Sequence, residues 1–350
     1  MGQSSSNNFT TAYQGDGTLS PEQLPIVYDP AYNIHFFGLH RLHPFDSCKY
    51  EKVHKALVES GYITKERHTV SPGKPVSQDQ LLKIHTPEYL KSHSSSSVMA
   101  EICEMPVLKY APNSIIQSRM LKPMKYAVHG TIVAGELAMK NKWAINLGGG
   151  MHHASHDNGG GWCVYSDIFL SFHNLRDSIK HETGKPPKAM IIDLDVHQGD
   201  GLAKDKEKFH TNPEDGEVYI LDMHNHELWP DDEHCREISN QNVYVCEGET
   251  DSTYLTKLDS NLKEAFVDFP EPDIIYYNAG TDILDGDPLN GDVRISQHGV
   301  LQRDELVFKT ALNRKIPIVM VLSGGYAPDS AKAIIMSLKN LLQSIIAKHN

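Results

Sequence analysis

Four stretches place chemistry-bearing side chains directly after short apolar runs. The first is Gly148-Gly149-Gly150-Met151-His152-His153, with a second triple glycine at Gly159-Gly160-Gly161 before Trp162-Cys163. Adjacent histidines in a glycine loop present two imidazoles to one pocket, because glycine lets backbone approach closely and adopt positive φ. The second runs Asp193-Leu194-Asp195-Val196-His197-Gln198-Gly199-Asp200-Gly201. Residues i and i+2 of a strand share a side, so Asp195 and His197 can reach one metal ion, with Asp193 one step earlier. Carboxylates ending an apolar strand are costly unless paired or metal-bound. The third, Ala279-Gly280-Thr281-Asp282, supplies a further oxygen ligand; Asp285 and Asp287 beyond it read as turn residues. The fourth, Ser323-Gly324-Gly325-Tyr326, sets a phenol on a backbone that can approach a substrate.

Asp195, His197 and Asp282 make a three-ligand metal site with a position left open, the arrangement of catalytic zinc. Fe²⁺ competes with Zn²⁺ on ligand type. Such a metal lowers the pKa of water and polarises a carbonyl. Spare histidines provide general base and acid, and a tyrosine hydroxyl donates to the developing oxyanion. The expected chemistry is hydrolysis of an amide or ester.

The elements that must position these groups alternate along the chain. Short Val/Ile-rich runs predict strands at Pro25–Asp29, Trp143–Leu147, Ala189–Val196, Glu217–Leu221, Val243–Cys246, Ile274–Asn278 and Ile316–Leu322. Their near-continuous apolarity fits strands buried on both faces of a parallel sheet. Helical patterns fall at 49–60, 77–93, 119–140, 164–181, 253–267, 300–312 and 328–347. The alternation predicts one α/β domain over 24–350, with a mostly parallel central sheet flanked by helices. Residues 1–23 are polar and read as a flexible arm, and Ser94–Ser97 as a surface loop. Ligands of open α/β sheets bind beyond the carboxyl ends of the strands, where all four stretches fall.

Composition narrows the partners. The 350 residues carry 33 Lys+Arg against 45 Asp+Glu, a formal net charge of −12. No basic stripe suits nucleic acid, and a negative surface tolerates a lysine-bearing substrate. Five scattered cysteines without a CxxC fit a reducing, intracellular compartment, cytoplasm or nucleus. No run is long and apolar enough for a transmembrane helix. Met1-Gly2-Gln3-Ser4-Ser5-Ser6 fits the N-myristoylation pattern at Gly2. The sequence leaves the oligomeric state open.

The motifs GGGMHHASHDNGGGWC, DLDVHQGDG, NAGTDILDGDP and SGGY resemble those of the zinc-dependent histone deacetylases. The run YDPAYNIHFFGLHRLHPFD resembles the class IV branch in particular. The resemblance covers about residues 24–346. It implies an arginase–deacetylase fold with a tunnel for an acylated lysine of a protein substrate, histone tails among them. It implies zinc on Asp195, His197 and Asp282, His153 as general base and then acid, and His152 assisting. It pairs Asp193 with His152 and Asp200 with His153, and gives Tyr326 the acyl carbonyl. Gly161 would offer its carbonyl to the substrate amide, and Trp162 would form an aromatic tunnel wall. A structural potassium ion would sit near Asp193, Asp195 and His197. Class IV relatives are associated with long fatty acyl groups more than acetyl. Two positions depart from relatives: Asp200, where some animal class IV members carry Asn, and Trp162, where Phe is common.

Three rival readings have their own signatures. A small-molecule deacetylase of acetylated polyamines would restrict the tunnel mouth with an inserted loop. A di-manganese, arginase-like centre would need a further aspartate where Gly199 stands. A catalytically weak acyl-lysine-binding scaffold would lack some of the positions that are filled here.

Overall fold

A computed structural model describes residues 9–15, 17–35 and 46–346. Nine strands form one sheet: β1 (Thr10–Ala12), β2 (Gln23–Val27), β3 (His68–Ser71), β4 (Trp143–Asn146), β5 (Lys188–Asp193), β6 (Glu217–His224), β7 (Gln241–Tyr244), β8 (Ile274–Asn278) and β9 (Ile318–Val321). Their order is β1-β3-β2-β4-β9-β8-β5-β6-β7, and every pairing is parallel. This is the expected α/β architecture.

The pleat divides the core in two. Met190 and Ile192 of β5, with Ile275 and Tyr277 of β8, enter one apolar cluster. Their neighbours Ala189, Ile191, Ile274 and Tyr276 enter the other. Every residue of β4 and β8 is buried. Complete burial of each large aliphatic side chain is worth roughly 1.5–3 kcal/mol, so these strands cannot slip by one residue without exchanging both faces. Helices cover the sheet, including Lys122–Asn141, Asp167–Thr183 and Gln297–Asn313. The second of these stops where Gly184 turns left-handed at φ +70 and its N–H bonds Lys180 O.

Several expectations need correction. Thr10–Ala12, inside the expected polar arm, pairs with Thr69–Ser71 as an edge strand. The helix expected over 77–93 is two, Gln78–Leu81 and Pro87–Ser92. Pro87 disfavours a helical Thr86, which instead caps the second helix by accepting the Tyr89 N–H. The serine patch is not all loop: Ser95 caps a helix at Ser96–Ile102. The strand expected to run to Val196 ends at Asp193. Gly2 and its acylation pattern, and Phe36–Phe45 of the class IV-like run, lie outside the described residues. Among the described residues, no helix is long and apolar enough to cross a membrane.

Candidate active site

The four motif-bearing strands lie side by side at the centre of the sheet, in the order β4-β9-β8-β5. Their last residues are level: Asn146 pairs with Val321, Val321 with Asn278, and Asn278 with Asp193. Four distant stretches of sequence therefore discharge their loops at one point.

Beyond Asp193 the chain leaves the sheet but stays tightly held. Asp195 N–H donates to Asp193 Oδ1 at 3.2 Å, and Val196 N–H to Asp282 Oδ1 at 3.0 Å. This loop, rather than strand alternation, brings His197 Nδ1 to 3.2 Å from Asp195 Oδ1 and 3.1 Å from Asp282 Oδ2. All three side chains are buried, with one ligand atom from each within 4.8 Å of the others. A single imidazole N–H cannot serve both carboxylates. A divalent cation can accept the nitrogen and both oxygens, and it balances the buried negative charge. The donor set therefore fits the metal expected from the sequence. Burial and the Asp195 carboxylate push Asp282 up to about 7. Burial opposes the charged form of His197, yet the two aspartates raise it to about 10.

The tandem histidines stand beside this cluster with ring centroids 4.0 Å apart. His152 Nδ1 lies 2.9 Å from Asp193 Oδ2, and His153 Nδ1 lies 2.8 Å from Asp200 Oδ1. A carboxylate only accepts, so each Nδ1 carries the hydrogen and each Nε2 is turned to other work. Their environments separate them. Burial resists charge on His152, but Asp193 and Asp195 outweigh it and raise it to about 10. Burial and the charge on His152 hold His153 at about 4. The two rings are thus pushed apart, His152 upward and His153 downward. Asp200 also takes Lys204 Nζ at 2.7 Å on its second oxygen.

The glycine loop before the histidines is clamped by a residue the motifs did not flag. Asp167 accepts the N–H groups of Gly150 and Met151, both at 2.9 Å. A Cβ at Gly149 would lie 2.4 Å from Thr131 Oγ1, and Gly149 has φ +73, so only glycine fits there. On the opposite side, fully buried Lys49 donates to Ser323 O at 2.7 Å and Gly324 O at 2.6 Å. Tyr326, half-buried, faces His197 edge-on with centroids 6.2 Å apart.

Gly161 and Trp162 reach the same cavity. Trp162 is buried and lines it from within. The aromatic surface outside is Trp229, 53% exposed, whose ring lies 4.7 Å from that of His153. A Cβ at Gly161 would press to 2.7 Å from His153 Cδ2 and 3.1 Å from Trp229 Cζ3. Nothing in the Leu228-Trp229-Pro230 stretch marks it as chemical. The cavity has about 80 Å³ of free room. Its lining is largely apolar, with Ile34, Met124, Ala127 and Met151, and it also includes His152, His153 and Tyr326.

The arrangement can activate water beside a metal, move a proton, and hold an acyl oxygen. Comparisons with known proteins give the family. The histone deacetylase domain matches residues 43–342. Histone deacetylase 2 of Arabidopsis thaliana is 43% identical over 323 residues, 91% of this chain and 79% of that protein. Histone deacetylase 8 of Xenopus tropicalis is 26% identical over 291 residues, 79% and 73% of the two chains. The acetoin utilization protein AcuC of Staphylococcus xylosus is 25% identical over 261 residues, 71% of this chain and 64% of that one.

Proposed function

Because the chain belongs to the histone deacetylase family, we propose that it is a zinc-dependent hydrolase that removes acyl groups from lysine side chains of proteins. The observation that carries this reading is the buried Asp195-His197-Asp282 cluster beside His153, whose Nδ1 is held by Asp200. Asp195, His197 and Asp282 would hold the zinc, with Fe²⁺ the competitor on ligand type. Zinc bound there would supply Lewis-acid polarisation of the acyl carbonyl and a lowered pKa for water.

The protein's own groups do the rest. His153 Nε2 takes the proton of the attacking water and returns it to the departing lysine amine. Asp200 fixes the tautomer that leaves Nε2 free on His153, while Asp193 favours the charged form of His152, which would stabilise negative charge developing alongside. The Tyr326 hydroxyl donates to the acyl oxygen as it becomes an oxyanion. Gly161 O accepts the substrate amide N–H, and Trp162 and Trp229 flank the aliphatic part of the lysine. The products are a carboxylate and a free lysine.

The finer reading is a class IV enzyme that prefers long fatty acyl groups, acetyl being turned over more slowly. The apolar lining of the cavity, with Ile34, Met124, Ala127 and Met151, supports it, since an acetyl group needs no such lining. A structural potassium ion near Asp193, Asp195 and His197 belongs to the same proposal. The catalytic unit is the α/β domain whose sheet includes β1 from Thr10 onward, working in the reducing cytoplasm or nucleus, where its free thiols persist. Gly2 remains a candidate for acylation. A panel of lysine peptides acylated from acetyl to myristoyl, with acetylated polyamine alongside, tests the assignment. Turnover dominated by the polyamine overturns the protein-substrate reading.

A further inference from the structure

The hydroxyl of Tyr326 must be held without help from its own backbone. It follows Gly324 and Gly325, the latter at φ +127, a conformation that glycine permits. The loop is anchored ahead of the tyrosine: Ser323 Oγ and Gly324 N–H both donate to Asp195 Oδ2, at 3.0 and 3.1 Å.

The anchor behind it comes from elsewhere. Asp287, only 6% exposed, accepts the Tyr326 N–H at 2.7 Å and the Ala327 N–H at 2.8 Å, both on Oδ2. Its Oδ1 accepts the Leu289 N–H at 3.0 Å. The last bond is the local turn that the sequence predicts for an aspartate before proline. The first two reach 39 and 40 residues along the chain and serve no local turn. We infer that Asp287 is a positioning residue for the reaction: its carboxylate pins the peptide of Tyr326 and so sets where the phenol hydroxyl meets the acyl oxygen. The inference rests on the reading of Tyr326 as oxyanion donor. Carboxylate bonds to backbone N–H groups are charge-assisted and short. They tie the loop after β8, which carries Asp282, to the loop after β9, which carries Tyr326. Two parts of the catalytic apparatus are thereby held at a fixed separation, where a displacement of about 1 Å can cost roughly 10²-fold in rate.

The test separates the local turn from the reach across loops. In Asp287→Ser the hydroxyl can still serve the Leu289 N–H but is too short for Tyr326. Asp287→Asn keeps an acceptor at full reach. Steady-state kinetics use the lysine peptide that the wild-type enzyme turns over fastest, well below the Tm of every variant. Asp287→Ser is expected to lower kcat by roughly 10- to 100-fold with KM within about twofold, and Asp287→Asn to restore kcat to within about fivefold. In a Tyr326→Phe background, Asp287→Ser should change kcat by less than about twofold, because the group it positions is gone. If the two losses multiply in the double variant, or if Asp287→Ser has wild-type kcat while Tyr326→Phe is impaired, the positioning role is wrong and the functional reading stands. If Tyr326→Phe itself has wild-type kcat, the oxyanion reading falls and the inference falls with it. Should Asp287→Ser not fold, Asp287→Ala is taken through the same cycle.

Discussion

The Asp200 carboxylate is shared between His153 and Lys204. One oxygen takes the His153 Nδ1–H at 2.8 Å and the other takes Lys204 Nζ at 2.7 Å. Burial would raise this carboxyl, but His153 and Lys204 hold it below the usual range, so it stays ionised. It fixes the His153 tautomer, and Lys204 offsets its charge. Asp200→Ala should lower kcat by about 100-fold, since the ring is then free to present the wrong nitrogen. Asp200→Asn keeps an acceptor and should lose about tenfold or less. Lys204→Met should cost only about two- to fivefold, because the lysine acts through Asp200 and is partly exposed. Wild-type kcat in Asp200→Ala would contradict the assigned base.

The ligand assignment predicts how metal and stability are linked. Asp195→Ala or Asp282→Ala should purify without stoichiometric zinc, read by elemental analysis, and without measurable turnover. In the wild type, stripping the metal leaves two buried carboxylates with one imidazole to balance them. A ligand at 100 times its Kd stabilises the folded state by about 2.7 kcal/mol. The Tm should therefore fall by several degrees with chelator and recover with added zinc. One equivalent of zinc retained in Asp195→Ala would refute the ligand set.

Much of this site is legible in the sequence because its parts are contiguous. His152-His153 and Asp195-x-His197 are neighbours along the chain, and both follow apolar strands whose ends must open on one crevice. The residues that escape notice act across the fold. Asp287 looks like a turn residue and is one, yet its other oxygen holds Tyr326. Lys49 looks like a surface helix residue and is fully buried against Ser323 and Gly324. Asp167 opens a helix, where acidic residues are common, and its carboxylate ties the glycine loop. Side chain–backbone bonds over such separations leave no periodicity to read. The missed strands β1 and β3 are short and carry threonine, serine and histidine rather than an apolar run. Hydrogen bonding to their neighbours, not composition, makes them strands.

The chain's surplus histidines have a structural consequence that pH should expose. Burial holds His85 and His173 at about 3, and His54 and His93 at about 4. The neighbouring His93 adds to the effect on His85, and His210 to that on His173. His85 Nε2 accepts the Ser166 N–H at 3.1 Å, a bond that only the neutral ring can make. Each has a folded pKa below its unfolded value of about 6.5. Between the two values the unfolded chain binds more protons, so stability is full above about pH 6.5 and falls as pH drops towards 4. Each group contributes at most about 1.4 kcal/mol per pH unit in that window. Urea midpoints of the chelated protein should fall steeply from pH 6.5 to 5, and less steeply in His173→Phe. A midpoint independent of pH over that interval would show that these rings are not neutral in the folded state.

The proposed acyl preference can be tested at the apolar lining of the cavity. Ala127 lies on the helix Lys122–Asn141 and presents a methyl group to it. Ala127→Leu adds three carbons to a space with about 80 Å³ of free room, at an overpacking cost of about 1–3 kcal/mol in the fold. On the proposed long-chain reading, the first carbons beyond an acetyl group would meet the apolar lining that includes Ala127, which an acetyl group does not need. Relative kcat/KM for myristoyl- over acetyl-lysine peptide should therefore fall by about tenfold or more in Ala127→Leu, with acetyl turnover within about threefold of wild type. Equal losses for both peptides would mean that the long chain lies outside this cavity, along the Trp229 side of the opening, and Trp229→Ala should then carry the selective effect.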